Sequence, residues 1–126
     1  DEGERVLYEL TGVDMIFISD YPIAKRPFYH KWDKETGTTQ SYDLIFKGIE
    51  ITSGSIREHN LAILSEQSLE KGVSLESIGH YLDNFRYGCM PHGGFGIGIA
   101  RIVSKLLGIT VKESTFMPRD PERLTP

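Results

Sequence analysis

The sequence predicts an α+β fold, an antiparallel sheet flanked by helices, and three observations carry that prediction. Residues 41–54 alternate apolar and polar side chains on either side of Lys47-Gly48, the pattern of two paired strands. Gly94, Gly96 and Gly98 recur at every second position and run into a helical stripe, so a strand feeds directly into a helix. Apolar residues at three- and four-residue spacing mark further helices before and after the hairpin. A chain of 126 residues with 39% hydrophobic and 25% charged content suits one soluble domain.

Taken in order, residues 2–11 carry Val6, Leu7 and Leu10 on one helical face, with Gly12 as the stop. Met15-Ile16-Phe17-Ile18 reads as a strand buried on both faces, ended by Asp20 and Pro22. Residues 21–39 hold two prolines and many charges, and read as a strand edge followed by a loop. If Lys47-Gly48 is a two-residue turn, Leu44, Phe46, Ile49 and Ile51 form one apolar face, and Asp43 and Glu50 lie diagonally on the other. Residues 60–71 predict a polar helix closed by Gly72. A second helix is expected from an N-cap at Ser74, burying Leu75, Ile78, Leu82 and Phe85. The last helix would bury Ile99, Ile102, Val103, Leu106 and Leu107, with Gly108 as terminator.

Charge and composition exclude several functions. A formal net charge of -4 does not suit a general binder of nucleic-acid backbones, so any RNA contact must be local or made elsewhere. The single cysteine, Cys89, cannot form an internal disulfide, and no apolar run reaches membrane-spanning length. A reducing cytoplasm fits, and no membrane partner is expected. The chain begins at Asp1 inside a helical pattern, and a piece of a longer polypeptide is expected.

The glycine segment fits neither common nucleotide loop. From Gly94 a Gly-x-Gly-x-x-Gly fingerprint would end on Ile99, and no Gly-Lys-Ser/Thr sequence occurs. Two readings stay open: a glycine strand packed against a neighbouring backbone, or a bare surface for a flat ligand with Arg101 above it. Asp43 and Glu50 read either as solvated acids or as oxygen ligands of a hard divalent cation such as Mg²⁺, which takes one or two carboxylates plus phosphate oxygens. Strict alternation puts Ser53 and Arg57 on the face away from Glu50. A bulge near Gly54 would turn Arg57 back, where its planar fork can clamp a carboxylate; otherwise it forms a surface ion pair. Cys89 and His92 are too few for a structural zinc site, and Cys89 reads as a buried thiol. His30, His59 and His80 read as surface or loop histidines, while His92, just before the glycine strand, is a candidate ligand contact.

Several long segments are shared, in register, with one family. The glycine strand with Arg101 resembles the third signature motif of the class II aminoacyl-tRNA synthetases. Asp20-Tyr21-Pro22, Arg26-Pro27-Phe28-Tyr29, Tyr42-Asp43-Leu44, the run from Gly48 to His59 and the tail Pro118 to Pro126 resemble the aspartyl branch of archaeal and eukaryotic type. The resemblance covers nearly the whole chain and implies that residues 1–126 are the C-terminal portion of the catalytic domain. It implies Asp43, Glu50 and Ser53 as the metal site for Mg²⁺ and ATP, Glu50 and Gly98, Ile99, Ala100 and Arg101 as the ATP-binding segment, and Arg101 as a catalytic residue stacked on adenine. Ser53 and Arg57 would bind aspartate, Arg57 through its side-chain carboxylate. The implied activity is ATP-dependent formation of aspartyl-adenylate and transfer to tRNA, in a cytoplasmic homodimer. Two departures stand out: Ala100 replaces the acidic residue usual before the motif-three arginine, and the first two class signatures are not in this sequence. The competing readings are a paralogue that makes asparagine from activated aspartate and ammonia, and a non-catalytic ATP-binding module.

Overall fold

A computed structural model of the chain describes residues 2–119 and 121. The expected architecture is present. Helix α1 (Glu2–Thr11) leads into strand β1 (Met15–Ser19), and a single 3-10 turn follows at Ile23–Lys25. Two short strands, β2 (Trp32–Asp33) and β3 (Thr38–Thr39), pair antiparallel with Trp32 opposite Thr39. Then come β4 (Ser41–Phe46), β5 (Ile49–Ile56), helices α2 (Leu61–Glu70) and α3 (Gly79–Asp83), strand β6 (Gly93–Ile97) and helix α4 (Ile99–Leu107). The main sheet has four strands in the order β1-β4-β5-β6.

The hairpin turn is the one the sequence predicts. Lys47 and Gly48 both have positive φ, 46° and 76°, as a two-residue turn of the primed type requires. Helix α1 lies against it so closely that a Cβ on Gly48 would sit 3.2 Å from the Arg5 Cα. Glycine is therefore needed there for both conformation and space.

The chain divides into two compact units. Unit 1 comprises residues 1–17, 43–53 and 96–126; unit 2 comprises residues 18–42 and 54–95. In unit 1, Ile45, Phe46 and Ile51 are buried, and Lys47 N–H donates to the Asp14 carbonyl at 2.8 Å. In unit 2 the core is Leu64, Leu82 and Phe85, with Phe28, Tyr29, Leu61, Ile78 and Cys89 packed against it. Fully burying a side chain such as Leu64 contributes about 2 to 3 kcal/mol. Asn60 caps α2 by accepting from Ala62 N–H at 2.9 Å and Ile63 N–H at 3.3 Å, which explains why the helix begins at Leu61. The buried Gln67 amide donates to the Phe28 and His30 carbonyls, tying α2 to the segment that carries Tyr29.

Several expectations are corrected. Helix α1 buries none of its residues, and in α4 only Ser104 is buried, with Ile99, Leu106 and Leu107 exposed. The apolar period is present in both, but it reports a face and not what covers it. Ile45 is more buried than Leu44, so the hairpin's apolar face is not the four-residue set that alternation gives. The helix expected from Ser74 is only the five residues of α3; before it, the Ser77 hydroxyl donates to the Ser74 carbonyl at 2.7 Å in a turn. β1 is not buried on both faces, since Met15 and Phe17 are exposed. His30 is buried, not a surface histidine. Of the tail motif, Asp120 and residues 122–126 lie outside the described residues.

Candidate functional site

The chemistry in unit 1 gathers on β4, β5 and the start of α4. Asp43 is only 5% exposed, so it is not a solvated surface acid. The Ser53 hydroxyl lies against both acids, donating to Asp43 Oδ1 and standing 3.2 Å from Glu50 Oε1. Ser53 and Glu50 thus share a side despite being three residues apart, and the alternation that placed them on opposite faces fails here. Ile51 and Thr52, consecutive in β5, are both buried, so the strand does not alternate strictly. One hydroxyl carries one proton and cannot satisfy two carboxylates together. The result is a set of oxygen donors of the kind a hard cation takes. Among the described residues there is no cluster of three or more His, Cys, Asp or Glu able to hold a metal by itself. Two carboxylates and a hydroxyl would need water or phosphate oxygens to complete a shell.

Arg101 enters from the first turn of α4. Its Nη1 donates to the Glu50 carbonyl at 2.8 Å and stands 3.6 Å from Glu50 Oε1. Its stem lies over Gly98, where an added Cβ would be 3.3 Å from the Arg101 Cδ. Gly98 N–H in turn donates to the Ile51 carbonyl at 2.8 Å, fixing the helix start to β5. Glu50 therefore supplies the acceptors that orient Arg101, although Ala100 offers no carboxylate; the Ala100 carbonyl accepts instead from Ser114 at 2.8 Å. Arg101 also lines a cavity of about 280 Å³ with Glu4, Arg5, Gly48, Ile49 and Lys105. Ile99 and Ala100 contribute only backbone to this first turn, and the Ile99 side chain is exposed.

Unit 2 holds Arg57. The Tyr29–His30 segment and Arg57–Glu58 run side by side: His30 and Arg57 form an antiparallel bridge, and Glu58 N–H donates to the Tyr29 carbonyl at 3.0 Å. The Arg57 guanidinium lies 4.8 Å over the Tyr29 ring, and its Nη2 approaches the Gly94 carbonyl at 3.4 Å. Its Nη1 is buried with no hydrogen-bond partner among the described residues. A cavity of about 350 Å³ opens beside it, lined by Tyr29, Arg57, Tyr81, His92, Gly93 and Gly94. Burial holds the Tyr81 phenol above the ordinary tyrosine range, while the Arg57 charge pulls weakly the other way. His92 Nδ1 is taken up by the Met90 carbonyl at 3.0 Å and stands 3.6 Å from Cys89 Sγ. Cys89 is partly exposed, not buried as the sequence suggested.

A larger cavity in unit 2, about 530 Å³, is lined by Gln40, Tyr42, Ser55, Ile56, Gly93, Gly94 and Phe95. It has no charged group, so size and chemistry point to different places, and the chemistry favours the Arg57 pocket. Of the expected site residues, Asp43, Glu50, Ser53, Gly98 and Arg101 come together in unit 1, and Arg57 stands in unit 2 with His92. Sequence reasoning gave Tyr29 and Tyr81 no role. Tyr29 sat inside a quoted motif, and Tyr81 carried no signal beyond its four-residue spacing to Phe85.

The chain belongs to the tRNA synthetases class II (D, K and N), whose family model matches residues 1–121. Among curated relatives it is similar to the aspartate–tRNA(Asp/Asn) ligase of Thermus thermophilus, 46% identical over all of this chain and 31% of that enzyme. The aspartyl-tRNA synthetase of Entamoeba histolytica superposes with a TM-score of 0.88 at 38% identity, over 97% of this chain and 26% of that one. An asparaginyl-tRNA synthetase from Pyrococcus horikoshii, solved with asparaginyl-adenylate, gives a TM-score of 0.90 at 34% identity, over 99% of this chain and 30% of that one. The chain spans about three-tenths of the curated relative's length.

Proposed function

We propose that this chain supplies part of the catalytic domain of an aspartate–tRNA ligase, which activates L-aspartate with ATP and passes the aspartyl group to tRNA. The observation that carries the choice of amino acid is Arg57, a guanidinium braced by Tyr29 and Gly94 with one buried nitrogen unpartnered beside a cavity. An arginine fork has donors only and suits a carboxylate, which offers it two acceptor oxygens, whereas a carboxamide offers one acceptor oxygen and one donor nitrogen.

In unit 1, Asp43, Glu50 and Ser53 would hold Mg²⁺ with ATP, their all-oxygen donor set being the supporting observation. When bound, the metal supplies charge neutralisation at the phosphates. Arg101, its stem on Gly98 and its fork at Glu50, would cover the adenine and so act as a catalytic residue by alignment, with Gly98, Ile99 and Ala100 providing the backbone of the nucleotide segment. The aspartate α-carboxylate attacks the α-phosphorus and pyrophosphate leaves; a ribose hydroxyl of the terminal adenosine of tRNA then attacks the aspartyl carbonyl, and AMP leaves. Ser53, besides facing the acids, would contact aspartate. A homodimer working in the cytoplasm, where translation uses its product, completes this reading; among the described residues no helix is long and apolar enough to cross a membrane.

The test is pyrophosphate exchange by the intact protein, comparing aspartate with asparagine. Exchange supported by aspartate is the expected result. Exchange that requires asparagine overturns the choice of amino acid, and binding of ATP and aspartate without exchange favours a non-catalytic module.

A further inference from the structure

The cavity beside Arg57 contains a second group whose hydrogen-bonding capacity is unspent. The Tyr81 hydroxyl makes no hydrogen bond among the described residues, and its ring lines the same cavity as Arg57, with the residue 37% exposed. The ring is not free to wander. Phe28 meets it edge-on at 6.1 Å and Phe85 at 5.1 Å, the latter a core residue one helical turn away. Phe28 also meets Tyr29 edge-on at 5.4 Å, and Tyr29 lies under Arg57. One aromatic, Phe28, therefore braces both the tyrosine that supports the guanidinium and the tyrosine that shares its cavity.

We propose that Tyr81 is a substrate-binding residue, its phenol donating a second hydrogen bond to the carboxylate that Arg57 holds. The inference rests on the reading of the Arg57 pocket as the aspartate site. A carboxylate has about four lone-pair positions, and a two-nitrogen fork fills at most two. In a partly dry pocket the others need a donor, because an unmatched acceptor there loses its water without replacement. A phenol, neutral near pH 7 at its ordinary value, meets this need, and burial moves the Tyr81 group further up. Arg57 Nη1, buried and unpartnered, and Tyr81 Oη, without a partner, then form a two-point donor site rather than two separate unsatisfied groups.

Tyr81→Phe tests this in the intact protein, since it removes one hydroxyl and keeps the ring that Phe28 and Phe85 hold. The expected result is a rise of about tenfold in KM for aspartate in pyrophosphate exchange, with little change in kcat and none in KM for ATP. The unchanged KM for ATP separates a lost substrate bond from general damage. Tyr81→Leu, which removes the ring as well, should raise KM for aspartate further and lower thermal stability. An unchanged KM for aspartate in Tyr81→Phe overturns the inference and leaves the aspartate site standing. Wild-type protein that shows no aspartate-dependent exchange overturns both.

Discussion

The acids of unit 1 and the arginine pocket of unit 2 present two opposite ways of preparing for a charged ligand. In unit 1 the polar and charged groups already engage one another: Ser53 lies between Asp43 and Glu50, and Arg101 meets the Glu50 carbonyl and carboxylate. In unit 2 the Arg57 fork is held rigidly but not consumed, with one nitrogen buried and unpartnered. A self-engaged cluster binds by exchange, its internal bonds giving way to metal and phosphate, so much of the gross interaction is offset. A braced but unfilled donor gives up no internal bond on binding, so more of the new bond appears as affinity. Perturbing unit 2 should therefore act most steeply on aspartate, and perturbing unit 1 more gently, on metal and ATP.

The largest effect is expected from Arg57→Lys. It keeps the charge but loses the planar fork and the stacking on Tyr29, and the kcat/KM for aspartate in pyrophosphate exchange should fall roughly 100-fold. A loss below about threefold would break the contrast, because Arg57 would then not be the group that meets the substrate.

Ser53→Ala sharpens the other side. Removing the shared hydroxyl takes one of the three oxygen donors from the site, and the Mg²⁺ concentration for half-maximal exchange should rise about tenfold. A chelator should abolish exchange and added Mg²⁺ restore it. Metal-independent exchange would sink the cation reading of Asp43 and Glu50.

Gly54→Ala separates packing from chemistry within unit 2. An added Cβ would stand 2.5 Å from the Tyr42 ring, inside any real contact, so Tyr42 or the strand must shift. Overpacking of this kind costs about 1 to 3 kcal/mol and should lower the thermal midpoint of the intact protein. A variant as stable as the wild type would mean that the Tyr42 ring has somewhere else to go.

The contrast between the units also governs what could be read from the sequence. The Lys47-Gly48 turn, the Asn60 helix start and the glycine stops at Gly12, Gly72 and Gly108 are local conformational demands, and local sequence states them directly. The meeting of Asp43, Glu50 and Ser53 is not local. Alternation places Ser53 on the wrong side, and only the family resemblance put the three together, because a local departure from alternation leaves no mark in the pattern. Arg57 was named as a carboxylate clamp, but its support by Tyr29 joins residues 28 apart in sequence, which no periodicity reports. The apolar faces of α1 and α4 were legible as faces, yet their burial depends on neighbours that a helical period does not specify.

The smallest effect is expected from Lys34→Ala, the control for charge in unit 2. Lys34 is a cation already spent: its Nζ stands 2.8 Å from Glu66 Oε1 and 3.3 Å from Glu70 Oε1, with all three side chains about half exposed. The hydrogen bond to Glu66 is the main influence raising the Lys34 value, and the same bond lowers that of Glu66. A lowered carboxyl contributes stability that is present above its unfolded value and lost as pH falls through its folded one. A raised ammonium contributes stability that is present below its unfolded value and lost as pH rises through its folded one. The bridge is thus intact across the neutral range, but water and salt screen it there, so the thermal midpoint at pH 7 should hardly move and should not move at all at high salt. The KM for aspartate should be unchanged, since the cation that matters is the unfilled Arg57 and not the satisfied Lys34. A shift in that KM would show that the pocket responds to the net charge of the unit, and the distinction between a spent cation and a waiting one would fail.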